Sequence, residues 1–427
     1  MDSLVPKDVL LPLPAPVWLL TALLLISFLL HILFVNLMVG GSILVLWTEI
    51  RGLRKKEWDR VSHRIAETVT VNKSLAVVLG VAPLLTISVL YTAQFYSSST
   101  LLGHAWLMVI PLVILAFLFA YAHKYSWTRL EGSKGFHLTL GGVACVLFLS
   151  VPLIFLTNIN LMLYPEHWKS VHSFWNALWL PNVLPRYFHF LMATLALTGL
   201  FFVYYFGRKG EDLNSGNLKS TDVVRSFYGI ALGATSAQVL AGLLVFLTLP
   251  AHVVSLSLIL LLGLVLALVP VALLWLWREV TAEVPGRRFA RIVLLLTSVV
   301  VLMVLARHEI RETAVAPHRA LVMAKTAEYQ RRLVEAHDYL LIPGGLGGAP
   351  ASPGSLVFDR RCASCHAFDR RLVGPPMNEA LTPYRGNPRD LMNWIVRPGR
   401  RRPEYPPMPP QEIPQDELQQ LVEFVLQ

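Results

Sequence analysis

Eight long apolar stretches, roughly 16–47, 73–97, 101–123, 136–163, 185–206, 223–249, 254–277 and 289–307, constrain this chain more than anything else in it. Each is long enough to cross about 30 Å of hydrocarbon. Pro83, Pro111, Pro152 and Pro270 lie inside them without vetoing a helix, because neighbouring helices re-satisfy the freed backbone groups. The 427 residues are 55% hydrophobic and 15% charged, the composition of a polytopic membrane protein with a soluble appendage. The expected fold class is therefore all-α: a transmembrane helical bundle of eight spans followed by a small soluble domain. The first stretch is too long for a cleaved signal peptide and lacks a basic leader, so it reads as an uncleaved span.

A net charge of +10 in a soluble chain would point to nucleic acid or anionic lipid. Here its placement says more than its size, and lipid rather than nucleic acid is the expected contact. Arg51, Arg54, Lys55, Lys56, Arg60, Arg64 and Lys73 fall between the first two spans, which marks that side as cytoplasmic. Lys124, Arg129 and Lys134 repeat the bias after span three. Arg208, Lys209 and Lys219 do so after span five, and Arg278, Arg287 and Arg288 after span seven. The opposite loops are nearly uncharged or mixed. Eight spans then put both termini on the far side, the periplasmic face of a cytoplasmic membrane.

Cys362-Ala-Ser-Cys365-His366 is the attachment signature of a c-type haem, in which two thiols add to the haem vinyl groups and the next imidazole ligates the iron. A redox disulfide or half a zinc site would need a thioredoxin-like βαβ setting or a second ligand pair. The remaining cysteine, Cys145, sits deep in an apolar run. The motif thus predicts one covalent haem c, on the side of the membrane that the charge bias independently assigns to the C-terminus. The chain divides into a bundle over 1–308, a polar helical extension over 309–342, a Gly- and Pro-rich flexible linker over 343–354 and a cytochrome c domain over 355–427. In the last, one helix is expected to carry the motif, one to lie around 389–396, and one to run over 415–426, where Pro414, Asp416 and Glu417 favour its start.

Two methionines compete for the sixth iron position, Met377 and Met408. Gly374-Pro375 after the motif and Met408-Pro409 before the last helix resemble the pattern of single-haem c cytochromes of this size (class I-like), and the resemblance selects Met408. A thioether ligand raises the haem potential, which suits an electron exit. Arg397 and the run 400–402 read as a solvated basic loop, with guidance of an acidic partner as the alternative.

Four histidines lie within the spans: His31, His123, His189 and His308. Ionisable groups in hydrocarbon are functional candidates. Bundles build cofactor sites from facing helices, and haem iron takes imidazole readily. Spacing alone leaves open which of the four bind haem.

The run from His31 to Glu49 resembles the first-helix segment of subunit I of the cytochrome bd quinol oxidases. The likeness continues at 72–95 for the second helix, 111–127 for the third, 158–165 for the end of the fourth, Arg186-Tyr-Phe-His189 in the fifth and Arg225-Ser-Phe at the start of the sixth. It implies that His31 ligates a haem of the oxygen site and His189 the low-spin b haem. His308-Glu-Ile-Arg311 is similar to the family's Glu-x-x-Arg, with histidine standing where a glutamate ligates the high-spin b haem. The resemblance covers about 300 residues.

The departures matter as much. Span seven has no methionine to oppose the low-spin haem histidine; His252, at its start, is a substitute candidate. The long external quinol loop is reduced to a few residues around 250–252. Leu115 and His123 occupy the positions of the family's two span-three glutamates, which serve its oxygen site and proton path. Oxygen reduction needs protons at an open haem, so those losses argue against it, and His31 facing His308 would close a six-coordinate haem. The expected function is respiratory electron transfer. Electrons would run from a membrane quinol or a partner subunit through one or more b haems to the c haem, and on to a soluble cytochrome or partner complex. Such a chain is a candidate quinol:cytochrome c oxidoreductase component within a multisubunit assembly. The alternatives are a bd-type terminal oxidase with a fused haem c, and a haem-free membrane anchor for the cytochrome domain.

Overall fold

The structure is a computed structural model that describes residues 13–208, 218–341, 352–400 and 402–426, with the side chains at 71–74 and 333–341 outside that description. Lys209, Arg401, linker residues 343–351 and the side chains of Asn72 and Lys73 accordingly lie outside the described residues. All regular structure among the described residues is helical. The chain forms two compact units, one ending at Thr326 and the other beginning at Ala327.

In the first unit the order is α1 (Val17–Gly52), α2 (Glu57–Leu90), α3 (Thr92–Leu102), α4 (His104–Leu107), α5 (Val109–Tyr125), α6 (Lys134–Leu163), α7 (Phe174–Leu178) and α8 (Val183–Arg208). Then come α9 (Ser220–Leu247), α10 (Leu256–Thr281) and α11 (Phe289–Leu341), which runs on past Thr326. Among the described residues seven helices are long and apolar enough to cross a membrane, or eight when the bent pair 57–70 and 75–90 counts as one span. The polytopic all-α bundle expected from the sequence is present, and the edges of its helices move. α2 begins at Glu57, so Arg60 and Arg64 ride on a helix and the true connection is only Leu53 to Lys56. Glu57 and Asp59 sit in its first turn, where the helix dipole favours them. The helix of span eight continues without a break through the polar residues after Arg307 and carries Pro317 inside it.

Buried aromatics centre the bundle, among them Trp58, Phe148, Phe202, Phe206, Phe227 and Tyr228. Small and polar residues set the helix approaches, as expected where apolar side chains alone cannot tell protein from lipid. Thr194 donates to Asn36 Oδ1 at 2.8 Å and Thr198 to the Asn36 carbonyl at 2.9 Å, which fixes α8 on α1. Gly40 makes that approach possible, since a Cβ there would meet Thr198 Oγ1 at 2.3 Å. Tyr91, which ends α2, donates to Glu312 of α11.

The second unit contains α12 (Pro353–Arg361), α13 (Met377–Ala380), α14 (Pro388–Val396) and α15 (Gln415–Leu426). The last two lie where the sequence puts them. α12 does not: it ends at Arg361, and Cys362 to His366 form the turn that follows, with Cys365 and His366 amides donating to the Cys362 carbonyl at 3.0 and 2.9 Å. The motif is thus presented after the helix rather than on it. α12 crosses α15 at Gly354, where a Cβ would fall 2.0 Å from the Gln420 carbonyl oxygen. Val357, Phe358, Leu418, Leu421 and Val422 fill the core at that crossing with Leu391 and Ile395 of α14.

Gly354→Ala is expected to force the two helices apart and destabilise this unit by about 1–3 kcal/mol, the usual cost of overpacking. Thermal unfolding of the full-length protein, followed by the visible circular dichroism of its covalent haem, checks this; an unchanged midpoint would show that the crossing tolerates a side chain.

Candidate functional site

The cysteine motif is built on a main-chain clasp. After the turn at Cys362, residues 374–378 come back alongside 365–368: the Gly374 amide donates to the Cys365 carbonyl at 2.8 Å, Met377 to Ala367 at 2.9 Å and Asn378 to Phe368 at 3.1 Å. His366 Nδ1 lies 3.2 Å from the Pro375 carbonyl oxygen. A carbonyl only accepts, so Nδ1 carries the proton and Nε2 keeps its lone pair, the tautomer of an imidazole ready to bind metal. Gly374 lies flat against the ring, with a Cβ there falling 2.3 Å from His366 Cε1. Burial, with Cys365 beside it, pushes the Cys362 thiol up to about 11. Redox-active Cys-x-x-Cys pairs go the other way, so the electrostatics argue against a disulfide-exchange role. The donor set fits covalent haem attachment.

The methionines are placed differently. Met377 begins α13, its amide tied beside the proximal histidine, and packs on the domain core. Met408 is half-buried in the extended segment before α15 and is not part of that core cluster. Met392, which sequence reading did not weigh, packs on the core from α14.

In the bundle, three of the four span histidines share one property. Nδ1 of His31, of His189 and of His308 is buried and has no hydrogen-bond partner among the described residues. Two of the rings lie against glycine: a Cβ on Gly80 would come 2.8 Å from His31 Cε1, and one on Gly242 would come 3.3 Å from His189 Cε1. Gln238 Nε2 is 3.3 Å from His189 Nε2. Arginines accompany the histidines at helical spacing, Arg186 before His189 on α8, and Arg307 and Arg311 around His308 on α11. Arg311 is 5% exposed, and its Nε and Nη1 lack acceptors among the described residues. A buried guanidinium with open donors fits an anionic group such as a haem propionate, and imidazoles with an open Nδ1 fit iron. Glu309, the neighbour of His308, is engaged elsewhere and accepts from Ser255 at 2.9 Å. His252 stands exposed in the short turn Ala251–Val253.

His123 behaves otherwise. Its Nε2 is 2.8 Å from Glu49 Oε2, and His137 Nδ1 is 2.5 Å from Glu49 Oε1. Glu49 and His137 were missed in the sequence because one falls just past the first apolar stretch and the other opens the fourth. α1 runs on to Gly52 and so carries Glu49 into the bundle, where a buried carboxylate needs a partner.

Comparison with known proteins sorts the two units. A family model described as cytochrome C oxidase, cbb3-type, subunit III, matches residues 349–425. Cytochrome c-551 of Stutzerimonas stutzeri is 33% identical over 98 residues, 20% of this chain and 94% of that protein. The bd oxidase from Geobacillus thermodenitrificans is similar in structure, with a TM-score of 0.57 at 13% identity over 75% of this chain and 96% of that chain. Together these define a membrane helical bundle carrying a c-type cytochrome domain. Through that domain the chain belongs to the c-type cytochromes; its bundle shares the bd oxidase fold, and the protein serves membrane respiratory electron transfer with a covalent haem c.

Gly374→Ala drives a methyl group into the His366 ring. The expected result is retained covalent haem with a shifted midpoint potential, read by redox titration of the full-length protein; an unaltered potential would remove Gly374 as a positioning residue.

Proposed function

We propose that this protein carries electrons from a membrane donor, a quinol or a partner subunit, to an external acceptor, as a component of a multisubunit respiratory complex. Cys362 and Cys365 hold the covalent haem, with His366 and Met408 as axial ligands. His31, His189 and His308 hold one or more b haems in the bundle, and Arg186, Arg307 and Arg311 receive their carboxylates. When bound, these groups supply one-electron redox chemistry at potentials set by their ligands and burial. The chain's own residues orient them: the Pro375 carbonyl fixes the His366 tautomer, and Gly80 and Gly242 admit the rings of His31 and His189. The Lys/Arg bias supports a bundle in the cytoplasmic membrane with both termini and the cytochrome domain on the periplasmic face. In domain terms the proposal reads 1–308 as the bundle, 309–342 as its extension, 343–354 as linker and 355–427 as the haem c domain. The observation that carries the proposal is the set of three buried histidine Nδ1 atoms without a partner among the described residues, two of them, His189 and His308, with an arginine one turn away.

A second reading, oxygen reduction, is favoured by the bd oxidase fold. Against it, Leu115 is 42% exposed and offers no proton-carrying group, while Glu49 lies enclosed between His123 and His137, its two oxygens 2.8 and 2.5 Å from their ring nitrogens.

Pyridine haemochrome analysis of the purified protein is expected to show b haem beside c haem, with His31→Ala, His189→Ala and His308→Ala each lowering the b to c ratio. Haem c without any b haem would leave only a membrane anchor. A CO-reactive b haem together with oxygen turnover would establish the oxidase instead. Met408→Ala is expected to lower the haem c midpoint, whereas Met377→Ala leaves it near the wild-type value; the reverse result would exchange their roles.

A further inference from the structure

Glu49 of α1, His123 of α5 and His137 of α6 meet at the basic end of the bundle, away from the three unpartnered histidines. Their exposures are 0%, 3% and 0%. One donor atom from each residue lies within 4.8 Å of the other two. We propose that these three residues form a structural zinc site that pins α1, α5 and α6 together.

The first argument is charge. A carboxylate wholly removed from water costs several kcal/mol unless a cation answers it. Lys134 approaches Glu49 Oε1 to 3.7 Å, yet its ammonium is bound closer, at 2.6 Å, to Asp59. Lys134 and Asp59 cancel, and Glu49 keeps an unbalanced negative charge in a pocket otherwise walled by Trp127 and the two imidazoles.

The second is the tautomer. His137 Nε2 lies 2.8 Å from the His123 carbonyl oxygen, which can only accept. Nε2 therefore carries a proton, and Nδ1 of the neutral ring turns its lone pair toward Glu49 Oε1. Lone pair facing carboxylate is repulsive unless a cation joins them. A histidine whose far nitrogen is held by a backbone carbonyl is also the usual arrangement of a metal ligand.

The third is donor chemistry and reach. Two imidazoles and one carboxylate make a common zinc donor set, with metal–ligand distances of about 2.0–2.2 Å. Tetrahedral ligands at those lengths stand about 3.0–3.5 Å apart. The two carboxylate contacts, at 2.8 and 2.5 Å, open to that spacing by side-chain rotation of under about an ångström. A cavity of about 20 Å³ on the His123 side of the cluster, with Ser42 and Thr70 among mostly apolar walls, has room for one water. Gly141 is required there, because a Cβ would sit 2.9 Å from His123 Nε2.

The test uses the full-length protein with its covalent haem, purified in detergent and free of added chelator. Elemental analysis is expected to give about one zinc per haem c, and zinc-edge absorption spectra a shell of two nitrogens and one or two oxygens. Equilibrium dialysis against zinc should show affinity lowered at least about tenfold in Glu49→Gln and in His137→Ala. His172→Ala, an exposed histidine, should leave it unchanged. Far-ultraviolet circular dichroism and a monodisperse gel-filtration profile in detergent confirm that the helical bundle of each variant is folded. Should the variants fail to fold, the wild-type stoichiometry and coordination shell decide alone. Wild-type protein that holds less than about one-tenth zinc per haem and takes up none on dialysis would overturn the proposal. The cluster would then be closed by a proton on His137. Zinc retained equally by the Glu49 and His137 variants would overturn it too.

Discussion

A polar atom carried into hydrocarbon without a partner costs roughly 2–7 kcal/mol, and that single cost orders the bundle. Its buried serines and threonines mostly donate back to carbonyls of their own helix, as Ser42 does to Val39 and Thr157 to Leu153, while several larger polar groups are answered from another element. Asn36 meets Thr194, Asn158 donates to Ser99, and Asn182 donates to the Val245 carbonyl and Thr248. Glu279 accepts from the Gly286 and Arg288 amides and so closes the α10–α11 connection. Each of these contacts fixes one helix against another or shapes a turn, although Oδ1 of Asn158 and of Asn182 has no partner among the described residues. Against that background, the few side chains left unanswered stand out as the places where the fold has kept capacity in reserve. His31, His189, His308 and Arg311 are among them.

The same logic, run on main chain instead of side chain, builds the cytochrome domain. The turn 362–366 and the returning segment 374–378 satisfy each other's amides and carbonyls, and the pairing leaves the Pro375 carbonyl facing His366 Nδ1. Orientation of the imidazole is thus a by-product of closing the loop. Glycine at 374 follows from it, since the strand lies too near the ring for any side chain. Gly354 does for the α12–α15 crossing what Gly374 does for the ring. Two glycines with no chemistry of their own therefore decide where the reactive residues of the domain come to lie.

Hydropathy made the spans legible, because a membrane requires long apolar runs and little else has them. It did not make their ends legible. α2 starts at Glu57 and α11 persists to Leu341, both through polar residues, since helix propagation is indifferent to the apolar boundary. The cysteine motif was legible in full from five residues, though its position after α12 was not. The fixed spacing sets the chemistry and leaves the cap to decide the local fold. Single histidines could be flagged but not sorted. What separates His123 from His31 is whether a partner reaches it, and the partners, Glu49 and His137, lie 74 and 14 residues away.

That partnership also alters how a missing residue should be judged. Position by position, Leu115 and His123 stand where the resembling family has glutamates, and the sequence argues that the acidic groups are gone. In space one carboxylate is present beside His123, supplied by α1 instead of α5. Presence alone does not restore the lost chemistry. A group that relays protons must exchange partners, and Glu49 is enclosed by two imidazoles at 2.8 and 2.5 Å, where a shared cation locks it in place, with Lys134 3.7 Å from one oxygen. Freeing either oxygen would leave a buried charge half-answered, at a cost of several kcal/mol. The case for an electron relay over oxygen reduction therefore rests on how firmly this carboxylate is engaged rather than on its absence.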